Sequence, residues 1–216
     1  MKNKLTVEKI FSLAVEAYQE KKFSLAEKYY REILKKFPDN VNTLINLGMT
    51  LKQLEKFNEA IDCYKRSIQI NPKNANSYYN LANLYNNIEK YDEAITFYKK
   101  TIEINPNFLG AYNNLGNILK NLNKYQSAIS FFNQAIQIDP GNAVLYNNLG
   151  ISYNDIGEIE KAHKCFSEAF KINPNLDYLL GSLIQSKHCI VEWKYFEKDL
   201  KDLSDRILKN DRVCSP

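Results

Sequence analysis

Apolar residues along residues 7–176 follow a helical spacing that restarts every 34 positions. When each 34-residue unit is numbered from its first residue, positions 4, 7, 8 and 11 are apolar or small, which is the i, i+3, i+4, i+7 spacing of one helical face. A second, mostly apolar stripe occupies positions 20, 24, 27 and 28. Each unit is therefore predicted to fold as two amphipathic helices joined by a turn.

Prolines set the register of these units. They stand 34 residues apart, at Pro38, Pro72, Pro106, Pro140 and Pro174. Because proline disfavours helical geometry in the residue before it, the second helix of each unit is predicted to end there. Asn40, Asn74 and Asn142 are then placed to cap the next helix. After an N-terminal end at 1–6, the predicted units are 7–40, 41–74, 75–108, 109–142 and 143–176.

Three of these positions keep the same type of residue in all five units. Position 8 is always Gly or Ala, position 20 is always Ala, and position 24 is always Tyr or Phe. These residues, as in the stretch NLGMTLKQLEKFNEAIDCYKRSIQINP, closely resemble the tetratricopeptide repeat (TPR). The resemblance implies an all-α fold, a right-handed solenoid of helix-turn-helix repeats. No helix pair can bury its own apolar stripe alone, so neighbouring repeats are expected to complete it.

Composition narrows the classes of function. The chain has 216 residues, of which 44% are hydrophobic and 25% charged. It has no apolar run long enough to cross a bilayer, so we expect no membrane insertion. Glu8 and Glu16 interrupt the apolar part of the basic N-terminus, which argues against a secretory signal, and we therefore expect a cytoplasmic protein. A net charge of +4 is too small to favour nucleic acid as a partner. The four cysteines make no metal-ligand spacing, and Cys63 and Cys165 are interpreted as buried small hydrophobes.

Asparagines recur on another face of the first helix of each unit. Position 6 holds Asn46, Asn80, Asn114 and Asn148, position 9 holds Asn83 and Asn117, and position 13 holds Asn87 and Asn121. By helical geometry this face points away from the apolar stripe, toward the inside of the solenoid. A carboxamide has one acceptor and two donors, which match a peptide group. The pattern predicts that these eight asparagines bind an extended peptide by its backbone.

Composition also offers a second interpretation of the same residues. Asparagine makes up 27 of the 216 residues, and the repeat family commonly has Asn at position 6 as a structural hydrogen bonder. A series copied by duplication would then have no ligand. The sequence leaves both interpretations open.

The repeat pattern stops after Asn175, because Ile184 and Phe196 stand where small residues are expected. Residues 177–210 are predicted to form C-terminal capping or linker helices, followed by a tail at 211–216. A cap is needed because the last repeat would otherwise expose its apolar face. The residues predicted to cover that face are Leu179, Leu180, Leu183, Ile184, Cys189 and Ile190.

This C-terminal segment resembles the one that follows the repeats in protein O-linked N-acetylglucosaminyltransferases. The resemblance is carried by Val191-Glu192-Trp193, Phe196-Glu197, an amphipathic stretch through Leu200, Leu203 and Ile207, and Ser215-Pro216. It implies that the chain is the substrate-recognition part of such a glycosyltransferase, whose nucleotide-sugar-binding catalytic region would begin about where this chain stops. Members of that family have an asparagine-lined repeat groove implicated in holding protein substrates.

The chain itself shows no catalytic constellation. His163 and His188 have no nucleophile partner and no metal-ligand spacing, and there is no glycine-rich phosphate loop. We therefore expect no enzyme activity, metal or cofactor. Inner positions such as Phe11 and Ile45 lack the basic residues of a carboxylate clamp, which argues against chaperone-tail binding. The sequence favours an interaction scaffold for a protein or peptide partner, keeps the glycosyltransferase part as the alternative, and leaves a homo-oligomer open.

Overall fold

The computed structural model describes residues 6–191 and Lys201, and all regular secondary structure in that part of the chain is helical. Ten helices follow one another in pairs: α1 (Val7–Gln19), α2 (Phe23–Lys36), α3 (Val41–Gln53), α4 (Phe57–Ile70), α5 (Ala75–Asn87), α6 (Tyr91–Ile104), α7 (Leu109–Asn121), α8 (Tyr125–Ile138), α9 (Ala143–Asp155) and α10 (Ile159–Ile172). A further helix occupies 179–191. No helix in the described residues is long and apolar enough to cross a membrane.

Three helices that begin a pair, α1, α3 and α5, have a side-chain cap at the N-terminus. Oγ1 of Thr6 accepts from the Lys9 backbone N–H, at 3.3 Å, before α1. Oδ1 of Asn40 and of Asn74 accepts in the same way before α3 and α5, at 2.9 Å and 3.2 Å. The prediction for these two asparagines is confirmed. It is wrong for Asn142, whose side chain makes no capping bond and instead donates to Oδ2 of Asp139.

The turn inside each pair places one residue in the left-handed region at unit position 15. Four of these residues are not glycine and have φ near 60°, while the fifth has φ 79°. They are Lys21, Glu55, Glu89, Asn123 and Gly157. The next backbone N–H can then reach back to the end of the first helix, as from Lys56 to the Leu51 carbonyl at 2.9 Å. This bond satisfies a carbonyl that the helix leaves open.

The first compact unit, Met1–Ile118, contains α1 to α6 and most of α7. Its helices contact one another in chain order. Small residues at position 8 let the aromatic ring at position 24 approach the backbone: a Cβ atom added to Gly48 would lie 2.6 Å from Cε1 of Tyr64. The ring of Tyr64 is buried, as is Ala60 at position 20. The close contact leaves no room for a side chain at Gly48.

The second compact unit, Leu119–Pro216, contains α8 to α10 and the helix at 179–191. Its core repeats the small-to-aromatic contact, because a Cβ atom added to Gly150 would lie 2.6 Å from Cε1 of Phe166. Leu179 is fully buried in the same cluster, and Leu183 packs against it. Ser186 continues this buried face, with Oγ 3.0 Å from Nδ1 of His163.

The helix at 179–191 packs against α10 through only part of the predicted face, with Leu179 and Leu183 in contact as predicted. Leu180 and Ile184 are 53% and 60% exposed, and Cys189 is also exposed. Their predicted covering role is wrong, because the buried face of the helix runs through Leu179 and Ser186 instead. The predicted linker and tail beyond residue 191, apart from Lys201, and the predicted N-terminal end at 1–5 lie outside the described residues.

Candidate peptide-binding cavity

The first helices of three consecutive pairs surround a cavity of about 420 Å³ in the first compact unit. We call it the inner cavity. From α1 and α3 it is lined by Phe11, Asn42, Ile45, Asn46 and Met49. From α5 and the residue before α7 it is lined by Asn76, Tyr79, Asn80 and Phe108. None of these side chains carries a charge at neutral pH.

Equivalent positions of the repeat supply the same kind of side chain to the cavity. Position 2 gives Asn42 and Asn76, and position 6 gives Asn46 and Asn80. Position 5 gives an apolar or aromatic side chain from each of the three helices. Because the helices are related by the repeat, these residues form parallel polar and apolar rows.

Two of the eight predicted asparagines, Asn46 and Asn80, line the inner cavity. The side chain of Asn46 has no hydrogen-bond partner within residues 6–191, and its backbone carbonyl accepts from Thr50 Oγ1 at 2.7 Å. Nδ2 of Asn80 donates to the Asn76 carbonyl of its own helix, at 2.9 Å. Asn80 therefore keeps its Oδ1 atom as an acceptor on the cavity side.

Asn83 and Asn114 are bound to each other within the protein. Oδ1 of Asn83 accepts from Nδ2 of Asn114 at 2.9 Å and from the hydroxyl of Tyr98 at 2.5 Å. Nδ2 of Asn114 also lies 3.2 Å from the Tyr79 hydroxyl and 3.3 Å from that of Tyr98. We call these four residues the amide–tyrosine network. Within it, Asn83 and Asn114 use donors and acceptors that were predicted to face a ligand.

The environment of Tyr98 keeps this network neutral. The ring is fully buried, and burial raises the pKa of the hydroxyl, an effect that the hydrogen bond from Asn114 only partly opposes. At neutral pH the hydroxyl therefore keeps its proton and donates it to Asn83. Both asparagines are half-buried, so we assign them a bracing role.

The other four predicted asparagines are not among the residues that line the inner cavity. Asn87 and Asn121 are exposed and end α5 and α7. Asn117 is half-buried in α7, and Asn148 is half-buried in α9 and has a partner of its own. Peptide binding by these residues stays a prediction.

Tyr79 forms a fixed wall of the cavity. Its ring centroid is 4.7 Å from that of Phe108 and 5.9 Å from that of Tyr98. A Cβ atom added to Gly110 would lie 2.8 Å from the Tyr79 hydroxyl oxygen, so the glycine leaves room for this side chain. Met49 and Phe108 were not predicted from the sequence. Met49 is at position 9, on the same helical face as position 5, and this spacing could have indicated it; Phe108 is at position 34 and has no such signal.

Family models identify the helix pairs. The model described as tetratricopeptide repeat matches residues 75–108, 110–142 and 143–176. A second TPR model matches residues 48–88, so that the two together match more than half of the chain. The chain is a tetratricopeptide repeat protein. No curated protein matches its sequence.

Solved structures have the same fold as this TPR protein. MamA is 26% identical, with a TM-score of 0.69 over 78% of this chain and 92% of MamA. YrrB, described as a TPR protein with an unusual peptide-binding site, is 22% identical, with a TM-score of 0.65 over 84% of this chain and 93% of YrrB. TTC0263, a thermophilic TPR protein of Thermus thermophilus, is 18% identical, with a TM-score of 0.61 over 84% of this chain and 98% of TTC0263.

These similarities confirm the predicted fold class, an all-α TPR solenoid. At 22% and 18% identity, YrrB and TTC0263 establish the fold alone. Neither the family models nor the structures bear on the resemblance to O-linked N-acetylglucosaminyltransferases, which stays a prediction. Within the described residues, no group of three His, Cys, Asp or Glu side chains is arranged to hold a metal ion.

Proposed function

We propose that this TPR protein is an interaction scaffold that holds an extended peptide segment of a protein partner in the inner cavity. The observation that carries the proposal is the lining of that cavity. Asparagines from equivalent positions of α3 and α5 stand beside apolar side chains, and no charged side chain lies among them. Lys and Glu dominate ordinary solvated surfaces, so an uncharged concave surface of amides and apolar groups is suited to a ligand.

The spacing of the amides fits a peptide backbone. Packed helices lie roughly 8–10 Å apart, and an extended chain rises about 3.3 Å per residue, so equivalent asparagines meet about every third residue of a bound segment. Asn46 offers its whole carboxamide and Asn80 its Oδ1 atom. At about 1 kcal/mol net per hydrogen bond, these two residues contribute a few kcal/mol to binding. The cavity's apolar side chains must supply the rest.

The fold supports the proposal in a general way. YrrB is described as having a peptide-binding site, and its structure shares the TPR fold of this chain. The similarity does not transfer that site, because it extends to the fold alone at 22% identity. The binding residues proposed for this chain rest on its own cavity.

The test begins with peptides selected from a phage-displayed random library on the full chain. Asn46→Ala combined with Asn80→Ala should weaken their binding by roughly 10- to 100-fold, the loss of two or three hydrogen bonds. The matched control is Asn58→Ala combined with Asn133→Ala, because both asparagines are exposed on second helices. Unchanged affinity of selected peptides for the Asn46/Asn80 variant, measured by fluorescence anisotropy, would contradict the assignment of these amides.

A second candidate function rests on the C-terminal sequence. The stretch from Val191-Glu192-Trp193 to Ser215-Pro216 resembles the segment after the repeats of O-linked N-acetylglucosaminyltransferases, and nearly all of it lies outside the described residues. In this alternative the inner cavity selects protein substrates for a separate or downstream catalytic region. A transferase sequence adjoining this one in the genome would favour it. Genomic flanks without any such sequence, and no transfer when candidate transferases are added, would count against it.

A further inference from the structure

We infer that the inner cavity takes one large, apolar, uncharged side chain of a bound peptide, and that Tyr79 sets the size and shape of the side chain it accepts. This inference rests on the proposed function, since it names the ligand chemistry of the same cavity. Hydrogen bonds from Asn46 and Asn80 to a peptide backbone would not discriminate among peptide sequences. The apolar row beside them is what gives the site selectivity.

The apolar row brings together side chains from three helices. Phe11, Ile45 and Met49 come from α1 and α3, and Tyr79 and Phe108 close the opposite side with rings 4.7 Å apart and inclined by 41°. A cavity of about 420 Å³ lies within the range of pockets that hold small ligands, and it exceeds what a methyl group would fill. A leucine, methionine or phenylalanine side chain is therefore the matching class of occupant.

The charges of the lining select against ionised side chains. None of the nine lining residues is charged at neutral pH, so a carboxylate or ammonium group placed among them would lose hydration without gaining an ionic partner. Charged residues of the described chain lie elsewhere, and none of its arginine-containing ion pairs lines the cavity. These pairs are Arg31 with Glu27, Arg31 with Glu59, and Arg66 with Asp39. The site thus excludes acidic and basic side chains equally.

Tyr79 is held in place from behind. Nδ2 of Asn114 lies 3.2 Å from the Tyr79 hydroxyl, and Asn114 is itself bound to Asn83 at 2.9 Å. Gly110 leaves the space in which that hydroxyl sits. Asn114 and Gly110 do not line the cavity, so they are positioning residues that act through Tyr79. Enlarging Gly110 should push the ring toward the ligand and reduce the room for its side chain.

The experiment uses the full chain and the peptides selected from the random library. We expect the selected sequences to share one position occupied by Leu, Met or Phe. Replacing that residue with Ala should weaken binding by roughly 10- to 100-fold, and replacing it with Asp or Lys should weaken it at least as much. Selected sequences that share an acidic or basic residue, or that tolerate Asp at the apolar position, would overturn the inference.

Two variants test the role of Tyr79. Gly110→Ala should shift the preference from Phe toward Leu at the apolar position, whereas Gly181→Ala, a glycine whose added Cβ meets nothing within 4 Å, should leave the preference unchanged. A merely structural effect of Gly110→Ala would weaken all peptides equally and would not move this ratio. The substitutions in the peptide are also measured on the unaltered protein, so the test of the apolar side chain does not depend on whether the Gly110 variant folds.

The results separate this inference from the proposed function. If selected peptides depend on Asn46 and Asn80 but share no apolar position, the proposed peptide binding stands, and the inference that an apolar side chain occupies the cavity is wrong. If the library yields no peptide that binds the chain, both are wrong. If the apolar residue of the peptide is required but Gly110→Ala leaves the preference for Phe over Leu unchanged, the inferred ligand class stands and the inferred role of Tyr79 is wrong.

Discussion

Replacing Gly48 with Ala tests how closely the two helices of a pair must approach. A Cβ atom at this position would lie 2.6 Å from Cε1, 2.8 Å from Cζ and 3.1 Å from Cδ1 of Tyr64. The ring is 1% exposed, so it cannot turn away into solvent. Ala is favoured over Gly in a helix interior by about 0.5–1 kcal/mol, whereas overpacking a core costs about 1–3 kcal/mol. We expect Gly48→Ala to lower the free energy of unfolding by roughly 0.5–2 kcal/mol.

Urea unfolding followed by far-ultraviolet circular dichroism measures this difference. Gly181→Ala is the control, because Gly181 is helical and its added Cβ meets nothing within 4 Å, so it should gain about 0.4–1 kcal/mol. In combination with Tyr64→Leu, the cost of Gly48→Ala should shrink by about 1 kcal/mol, since the ring that it strikes is gone. Equal stability of the Gly48 and Gly181 variants would refute the reasoning.

Three further predictions concern single side chains. Ser77→Ala removes a buried hydroxyl that has no hydrogen-bond partner in the described part of the chain, and Ala111 stands at the same unit position. The free energy of unfolding in urea should therefore stay equal or rise by up to about 1 kcal/mol. A clear loss of stability would show that the hydroxyl is satisfied. Burial raises the pKa of the Cys63 thiol to about 11. Iodoacetamide at neutral pH should therefore alkylate Cys63 much more slowly than the exposed Cys189. Equal alkylation rates, measured by peptide mapping, would contradict this. Burial also raises the pKa of Tyr64 above 10.0, so the stability linked to its proton is complete below pH 10 and is lost as the pH rises toward the folded-state pKa. Over that pH range, Tyr64→Phe should lose less stability than the native chain. Equal losses in the two proteins, measured by urea unfolding at each pH, would argue otherwise.

The helices were predictable because their signals repeat. A single apolar stripe such as the one through Ala94 and Tyr98 is ambiguous, but the same stripe at five equal intervals fixes both the type of element and its register. The prolines ended the second helices, and Asn40 and Asn74 marked where the next ones begin. The division into domains beyond these helices stays a prediction.

The turns inside the pairs were less predictable. A left-handed residue is normally expected to be glycine, but unit position 15 holds Lys21, Glu55, Glu89 and Asn123 in four of the five pairs. Only Gly157 gives the usual signal. Tertiary packing of the two helices determines the turn, and the local sequence tolerates it at a cost of roughly 1 kcal/mol or more per residue.

The direction of the capping helix was predicted only in part. Apolar residues at 179, 180, 183 and 184 lie within little more than one helical turn of one another, so the sequence alone admits two neighbouring faces as the buried one. Ser186 and its contact with His163 select between them. A polar pair of this kind has no signal in a hydrophobic pattern, and Ile184 is consequently exposed.

Asn80 and Asn114, both at position 6, make different contacts, and the residue at position 9 of the preceding repeat differs between them. Asn114 follows a repeat with Asn83 at position 9, and the two amides join with the hydroxyl of Tyr98. Asn80 follows a repeat with Met49 at position 9, and a thioether has no donor and is only a weak acceptor. The amide of Asn80 therefore stays at the inner cavity, beside the methionine. Because the same helical frame holds both arrangements, we expect one substitution at position 9 to move the asparagine at position 6 from the cavity lining into a bracing contact. The asparagines at position 6 are therefore better treated as two sets with different contacts than as one uniform series.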